Sequence, residues 1–155
     1  NDSRWRNLWI RLLCRREKER QYMEELRRGD VEFADPADLL LMEPEFHLDV
    51  LKVRDARGMH LVKIDEIRYV ESLDNQIYVH AKSGVFTMKD TLYHLEAVLY
   101  PAGFLRVHKS FIVSRAHIRS IHASLNMKFT LVLDNGEKLE VSRSYYYRFK
   151  EEIGF

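Results

Sequence analysis

From Asp49 onward the apolar residues recur at every second position, and that period constrains the chain more than any other feature. Ile77, Val79 and Ala81 alternate with Tyr78, His80 and Lys82, the pattern of a strand with one face in a core and the other in water. Further strand-like segments fall at 50–53, 59–64, 68–72, 85–89, 118–122, 127–133 and 137–141, with a short extended piece at 105–108. Turn-forming residues punctuate them: Ala56-Arg57-Gly58, Leu73-Asp74-Asn75, Ser83-Gly84 and Asp134-Asn135-Gly136. Two stretches break the period. Asp90 suits the cap of a short helix over 91–99, with Leu92, Leu95 and Leu99 on one face and Pro101-Ala102-Gly103 ending it. Ser142 suits the cap of a closing helix over 143–153. Many short strands with two short helices predict a β-rich α+β fold.

The first 48 residues read differently. Trp5, Leu8, Trp9, Leu12 and Leu13 recur at helical spacing, with Met23 and Leu26 continuing a thin stripe, and Gly29-Asp30 supplies a stop. Residues 1–28 are therefore expected to form an N-terminal amphipathic helix. Three uses are open for it: packing on the domain, pairing with a second copy, or lying at a membrane, where tryptophans beside arginines suit the cytoplasmic interface. Residues 29–48, which contain Pro36 and Pro44, are expected to be an acidic linker with a short helical turn near 37–42, and residues 49–155 the domain.

Charge follows the same divisions. Residues 1–28 hold nine Lys/Arg against five Asp/Glu, residues 29–52 one against seven, and residues 53–155 fifteen against twelve. Apolar residues make up 46% of the chain, enough for a packed core. A lone Cys14 leaves no internal disulfide and fits a reducing cytoplasm. No apolar run approaches the ~20 residues that span a bilayer, and no secretory signal is present. The chain opens on Asn1 rather than Met, which fits a fragment; an upstream receiver domain and an upstream membrane region both stay open, with membrane attachment the favoured expectation.

No carboxylate occurs between Glu96 and Asp134, whereas Arg106, Lys109, Arg115, Arg119 and Lys128 all do, with His108, His117 and His122. Composition leaves two readings open: a positive surface that meets an anion, or cations scattered over different faces. A hydrolytic centre is not expected, because Ser110 and His108 lack an accompanying acid and an oxyanion-type glycine cluster. The histidines lack the spacing of a zinc site, and the six glycines are scattered rather than grouped as a phosphate loop. The expectation is a protein that is not an enzyme, with no cofactor, no metal and no small-molecule substrate.

Three blocks then carry a resemblance: Leu61-Val62-Lys63-Ile64-Asp65-Glu66-Ile67-Arg68-Tyr69-Val70-Glu71-Ser72, Gly103-Phe104-Leu105-Arg106-Val107-His108-Lys109-Ser110-Phe111-Ile112-Val113 and Leu139-Glu140-Val141-Ser142-Arg143. In order and spacing they resemble the LytTR domain, the output module of many bacterial transcription regulators. Ser114 stands where the family usually has Asn. The resemblance implies an elongated arrangement of small β-sheets with short helices, binding double-stranded DNA through loops and strand ends. It implies sequence-specific transcriptional regulation, commonly as a homodimer on paired repeats. By position it implies DNA contacts in the Asp74-Asn75-Gln76 turn, at Lys109 and at Arg143.

The chemistry of these residues is compatible. Arg143 has the fork that pairs with guanine O6 and N7, and equally with a carboxylate or phosphate. Asn75 and Gln76 suit base edges, and Asn also suits any turn. Lys109 suits backbone attraction, and Ser110 suits a phosphate or a turn. Arg106 and His108 lie at a strand end, one to brace the loop and one to face phosphates, with the assignment open. The rival expectation is a protein-interaction or sensory module that dimerises through the N-terminal helix. Salt dependence separates the two.

Overall fold

The two-residue period becomes antiparallel ladders in the structure. The computed structural model describes residues 9–34, 39–43 and 48–154. The chain divides into two units, residues 1–47 and 48–155.

The first unit departs from the sequence reading. Trp9–Leu13 forms a strand, β1, and the helix α1 is confined to Arg16–Arg27. Trp5 and Leu8 lie outside the described residues. β2 (Glu32–Phe33) and β3 (Leu39–Met42) both run parallel to β1, in the order β2-β1-β3. Thus Trp9, Leu12 and Leu13 do not share a helical face, and strands occupy part of the stretch expected to be linker. The physical reason is length. A five-residue segment with four apolar residues around Arg11 is too short for periodicity to separate helix from strand, and strand partners on both sides satisfy the β1 backbone. Trp9 Nε1 donates to Glu32 at 3.2 Å. After β1, Arg15 grips Glu43 through Nε at 3.0 Å and an Nη at 3.1 Å, and the Tyr22 hydroxyl donates to the same carboxylate at 2.7 Å. The Arg15 hydrogen bond, seconded by Tyr22, lowers the Glu43 pKa to about 2.

In the second unit β4 (Val50–Asp55), β5 (Gly58–Lys63), β6 (Ile67–Leu73), β7 (Gln76–Ala81) and β8 (Gly84–Met88) precede α2 (Leu92–Leu99). β9 (Phe104–His108), β10 (Phe111–Ser114), β11 (Ile118–Ala123), β12 (Phe129–Leu133) and β13 (Lys138–Val141) follow, and α3 (Tyr146–Ile153) closes the unit. Seven strands pair in the order β5-β4-β8-β7-β6-β10-β9, and three in the order β11-β12-β13. Every pairing in these two sheets is antiparallel. The β-rich α+β class, with small sheets and short helices, is the observed one.

Two cores flank the middle strands. Leu51, Val53, Val79 and Phe86 pack with Leu95 and Leu99 of α2. Leu131, Leu133 and Val141 pack with Phe149 of α3. β10 belongs to both, since Ile112 enters the first core and Val113 the second. Phe104 and Leu105 of β9 divide in the same way. A strand buried on both faces shows no alternation, so residues 111–114 gave no strand signal of their own. At α2 the cap is Thr91, whose hydroxyl accepts the His94 N–H at 3.1 Å; Asp90 instead takes the Thr91 N–H and the His94 ring. The closing helix begins with a 3-10 turn at Arg143–Tyr145, and Ser142 caps it without a side-chain bond.

Candidate nucleic-acid interface

Antiparallel register decides which loops meet. β6 ends at Leu73 opposite Gln76 of β7, with Asp74 and Asn75 making the turn. Their φ angles, 50° and 61°, are the positive pair that a tight two-residue hairpin demands, and Asp and Asn tolerate it better than most residues. Next in the sheet, Phe111 of β10 lies opposite Glu71 of β6 and opposite His108 of β9. The Lys109-Ser110 turn therefore projects from the same sheet end as Asp74-Asn75.

Two backbone hydrogen bonds tie the neighbours in. The Ser72 N–H donates to the Ser110 carbonyl at 2.9 Å, and the Ser142 N–H donates to the Val107 carbonyl at 3.0 Å. The three stretches singled out in the sequence thus converge on one turn, with Asn75 on one side and Arg143 on the other.

The turn is held from within. Arg106 donates through Nε to the His108 carbonyl at 2.8 Å and through one Nη to the Lys109 carbonyl at 2.6 Å. Its other Nη reaches Glu96 at 3.0 Å, and its guanidinium lies 5.8 Å from the Tyr145 ring centre. His108 Nδ1 accepts the Ser110 N–H at 3.0 Å, and its ring packs against Phe111. Both residues brace the loop, where the sequence reading had one of them facing outward. Gln76 is also engaged, since its amide donates to the Met88 carbonyl at 3.2 Å. By contrast Asn75, Lys109 and Arg143 are exposed, and their side chains make no ion pair or hydrogen bond with the described residues. Ser110 is half-buried.

The acid-free window does not become one positive face. Arg106 takes Glu96, Lys128 takes Glu140 at 3.0 Å, and His117 takes Asp134 at 2.6 Å. Each acid lies outside the window in sequence and returns to it in space. Asp134 also accepts from Arg68 at 2.7 Å. That bond first, then the His117 bond, lowers the Asp134 pKa to about 2. The Asp65 carbonyl accepts from His117 Nε2 at 2.7 Å, and His122 meets Ser120 at 3.0 Å. Within the window, Lys109, Arg115 and Arg119 stay without a described ion-pair partner, and Arg115 donates to the Glu152 carbonyl at 3.4 Å.

Sequence reasoning missed Glu96. It clamps Arg148 at 2.6 Å as well as Arg106, so one carboxylate joins α2, β9 and α3 behind the turn. Its only sequence signal is that it borders the acid-free stretch.

This sheet end presents an amide, an ammonium and a guanidinium from loops and element ends, the donor chemistry that a strand-and-loop reader of a polyanion would use. Residues 57–154 match the LytTr DNA-binding domain family. The chain belongs to that family. It is 31% identical over 106 residues to the sensory transduction protein LytT of Enterococcus faecalis, covering 68% of this chain and 44% of that protein. It is 36% identical over 101 residues to LytT of Bacillus anthracis, covering 65% of this chain and 40% of the relative. Against the transcriptional regulatory protein LytR of Staphylococcus aureus strain MW2, identity is 29% over 96 residues, covering 62% and 39%. A solved LytTr DNA-binding domain from Bacillus cereus superposes with a TM-score of 0.67 at 34% identity, covering 70% of this chain and 99% of that one. The match spans less than half the length of these curated relatives.

Proposed function

We propose that this protein regulates transcription by binding specific double-stranded DNA through the sheet end that carries Asn75, Lys109 and Arg143. The observation that carries the reading is their convergence. Three exposed donors from separate parts of the sequence surround one turn whose backbone is fixed by Arg106 and His108. A fixed loop loses little entropy on binding, so its donors suit base edges rather than diffuse attraction. Arg143 is assigned to base reading, Lys109 to phosphate and Asn75 to a base edge or phosphate. Ser110 is assigned to phosphate; Arg106, His108 and Gln76 are positioning residues. The role is binding rather than catalysis, in the compartment that holds the DNA.

The same reading places two copies on paired repeats, because one module of this size offers limited discrimination. Attachment through an amphipathic helix loses its motive, with Trp9, Leu12 and Leu13 in a strand. Among the described residues no helix is long and apolar enough to cross a membrane. The test is fluorescence anisotropy of the chain against a pool of random duplexes, followed by selection. Salt-sensitive binding that enriches a defined sequence is expected. Salt-insensitive binding, or none by the folded chain, contradicts the proposal.

A further inference from the structure

The sheet end that bears the three loops continues past them. Register puts the last residue of β8, Met88, opposite Ile77 of β7, so Lys89 follows beside Gln76. Arg54 of β4 pairs with Thr87 of β8, and the antiparallel direction carries Lys52 toward Lys89. Here a groove of about 350 Å³ opens on the solvent face of the sheet, lined by Lys52, Arg54 and Lys89 together with Gln76, Met59 and Thr87. Among the described residues no carboxylate lines it. All three cations are exposed and make no ion pair with a described residue. The nearest acids in sequence are Asp55, bonded to the Arg57 guanidinium at 3.3 Å and the His60 ring at 2.7 Å, Asp90, bonded to the His94 ring at 2.7 Å, and Asp49, and none of the three lines the groove.

We propose that this groove is a second phosphate-binding site for the same duplex, engaging its backbone beyond the segment touched by the loops. The proposal rests on the DNA-binding reading above and adds a footprint to it. Charge complementarity names the occupant, and Gln76 makes the two surfaces continuous: it opens β7 directly after the Asp74-Asn75 turn and lines the groove, and its amide is bonded to Met88 beside Lys89. From β10 the ladder runs through β6, β7 and β8 to β4. Four strand spacings of about 4.8 Å make roughly 20 Å, or about six base steps at 3.4 Å. A duplex lying across the strand ends thus meets the groove about half a helical turn from the Lys109 turn. These contacts carry no base information, so they add affinity and salt dependence without altering sequence preference.

The experiment uses the whole chain and two duplexes, the element recovered by selection and the same element extended by about half a turn at each end. Replacement of all three cations (K52Q/R54Q/K89Q) removes up to three phosphate contacts. It is expected to flatten the slope of log affinity against log salt by about 2–3 units on the extended duplex. It is expected to leave the short duplex and the sequence preference unchanged. Lys82→Gln, at the opposite sheet end beside the β7–β8 turn, is expected to leave the slope as in the wild type. The three sites are exposed, and circular dichroism verifies the fold of the variant. An unchanged slope on the extended duplex overturns the second site while leaving loop binding intact. Absence of any salt-sensitive binding by the wild-type chain is a separate result that overturns both.

Discussion

Arg106 illustrates how an apparent contact residue does its work at one remove. Each of its three nitrogens is engaged, two with loop carbonyls and one with Glu96, so the side chain is held along the turn rather than extended toward a phosphate. Replacing it with Gln releases the turn and leaves Glu96 half-compensated, at a cost of about 1–3 kcal/mol in folding stability. Urea denaturation measures that cost, and DNA preference is expected to weaken in the same variant. Arg143→Ala is expected to leave stability almost untouched, cost about 1–3 kcal/mol in binding and relax selection at one base position. Lys109→Ala is expected to weaken all sequences alike and flatten the salt slope by about one unit. Uniform weakening by Arg143→Ala, with preference intact, contradicts its base-reading role. Asp134 has a different task, joining Arg68 and His117. Its pKa falls from an ordinary carboxylate value to about 2 on folding. The stability it supplies is therefore present above the unfolded value of about 4 and fades as pH drops toward 2. Asp134→Asn is expected to be less stable at neutral pH and to show a shallower loss across that acid range, as followed by acid-dependent denaturation.

At the scale of elements, the β6–β7 turn separates shape from chemistry. Asn75 sits at φ 61°, a conformation glycine adopts freely and a β-branched residue resists. Asn75→Gly is expected to keep the hairpin and its thermal midpoint while weakening DNA binding, because only the amide is lost. Asn75→Val is expected to lose both. Equal binding by Asn75→Gly and the wild type assigns the residue to turn geometry alone. The same element shows what was legible beforehand. Alternation in β7 and the Asp-Asn pair marked the hairpin, because one face of that strand is buried and the other wet. β10 was hidden, because Ile112 and Val113 serve opposite cores and leave no period to read. β1 differs from the helix its spacing predicts, since WIRLL satisfies either pattern until β2 and β3 pair with it. The positions of Asn75, Lys109 and Arg143 could be taken from family resemblance. The bracing set could not, because Glu96 and Arg148 lie 52 residues apart in the chain and meet only after α2 and α3 pack.

At the scale of the whole molecule, net charge of +1 conceals an uneven surface. Acids neutralise Arg106 and Lys128 from outside the acid-free window, while the sheet end keeps its cations available. Two such modules on adjacent half-sites about one helical turn apart are expected. Selection from a random library should then return two similar elements at fixed spacing, and a single element bound by one chain contradicts the dimer.

The central claim is that one end of the seven-stranded sheet meets DNA. Amide chemical shifts of the chain, titrated with the selected duplex, test it directly. The account predicts that the largest changes fall at Asp74, Asn75, Lys109, Ser110, Ser142 and Arg143. It predicts small changes at Ala56, Arg57 and Ser83, whose turns lie at the opposite end of the sheet. Changes concentrated at those opposite turns, with the Lys109 turn unmoved, would contradict it.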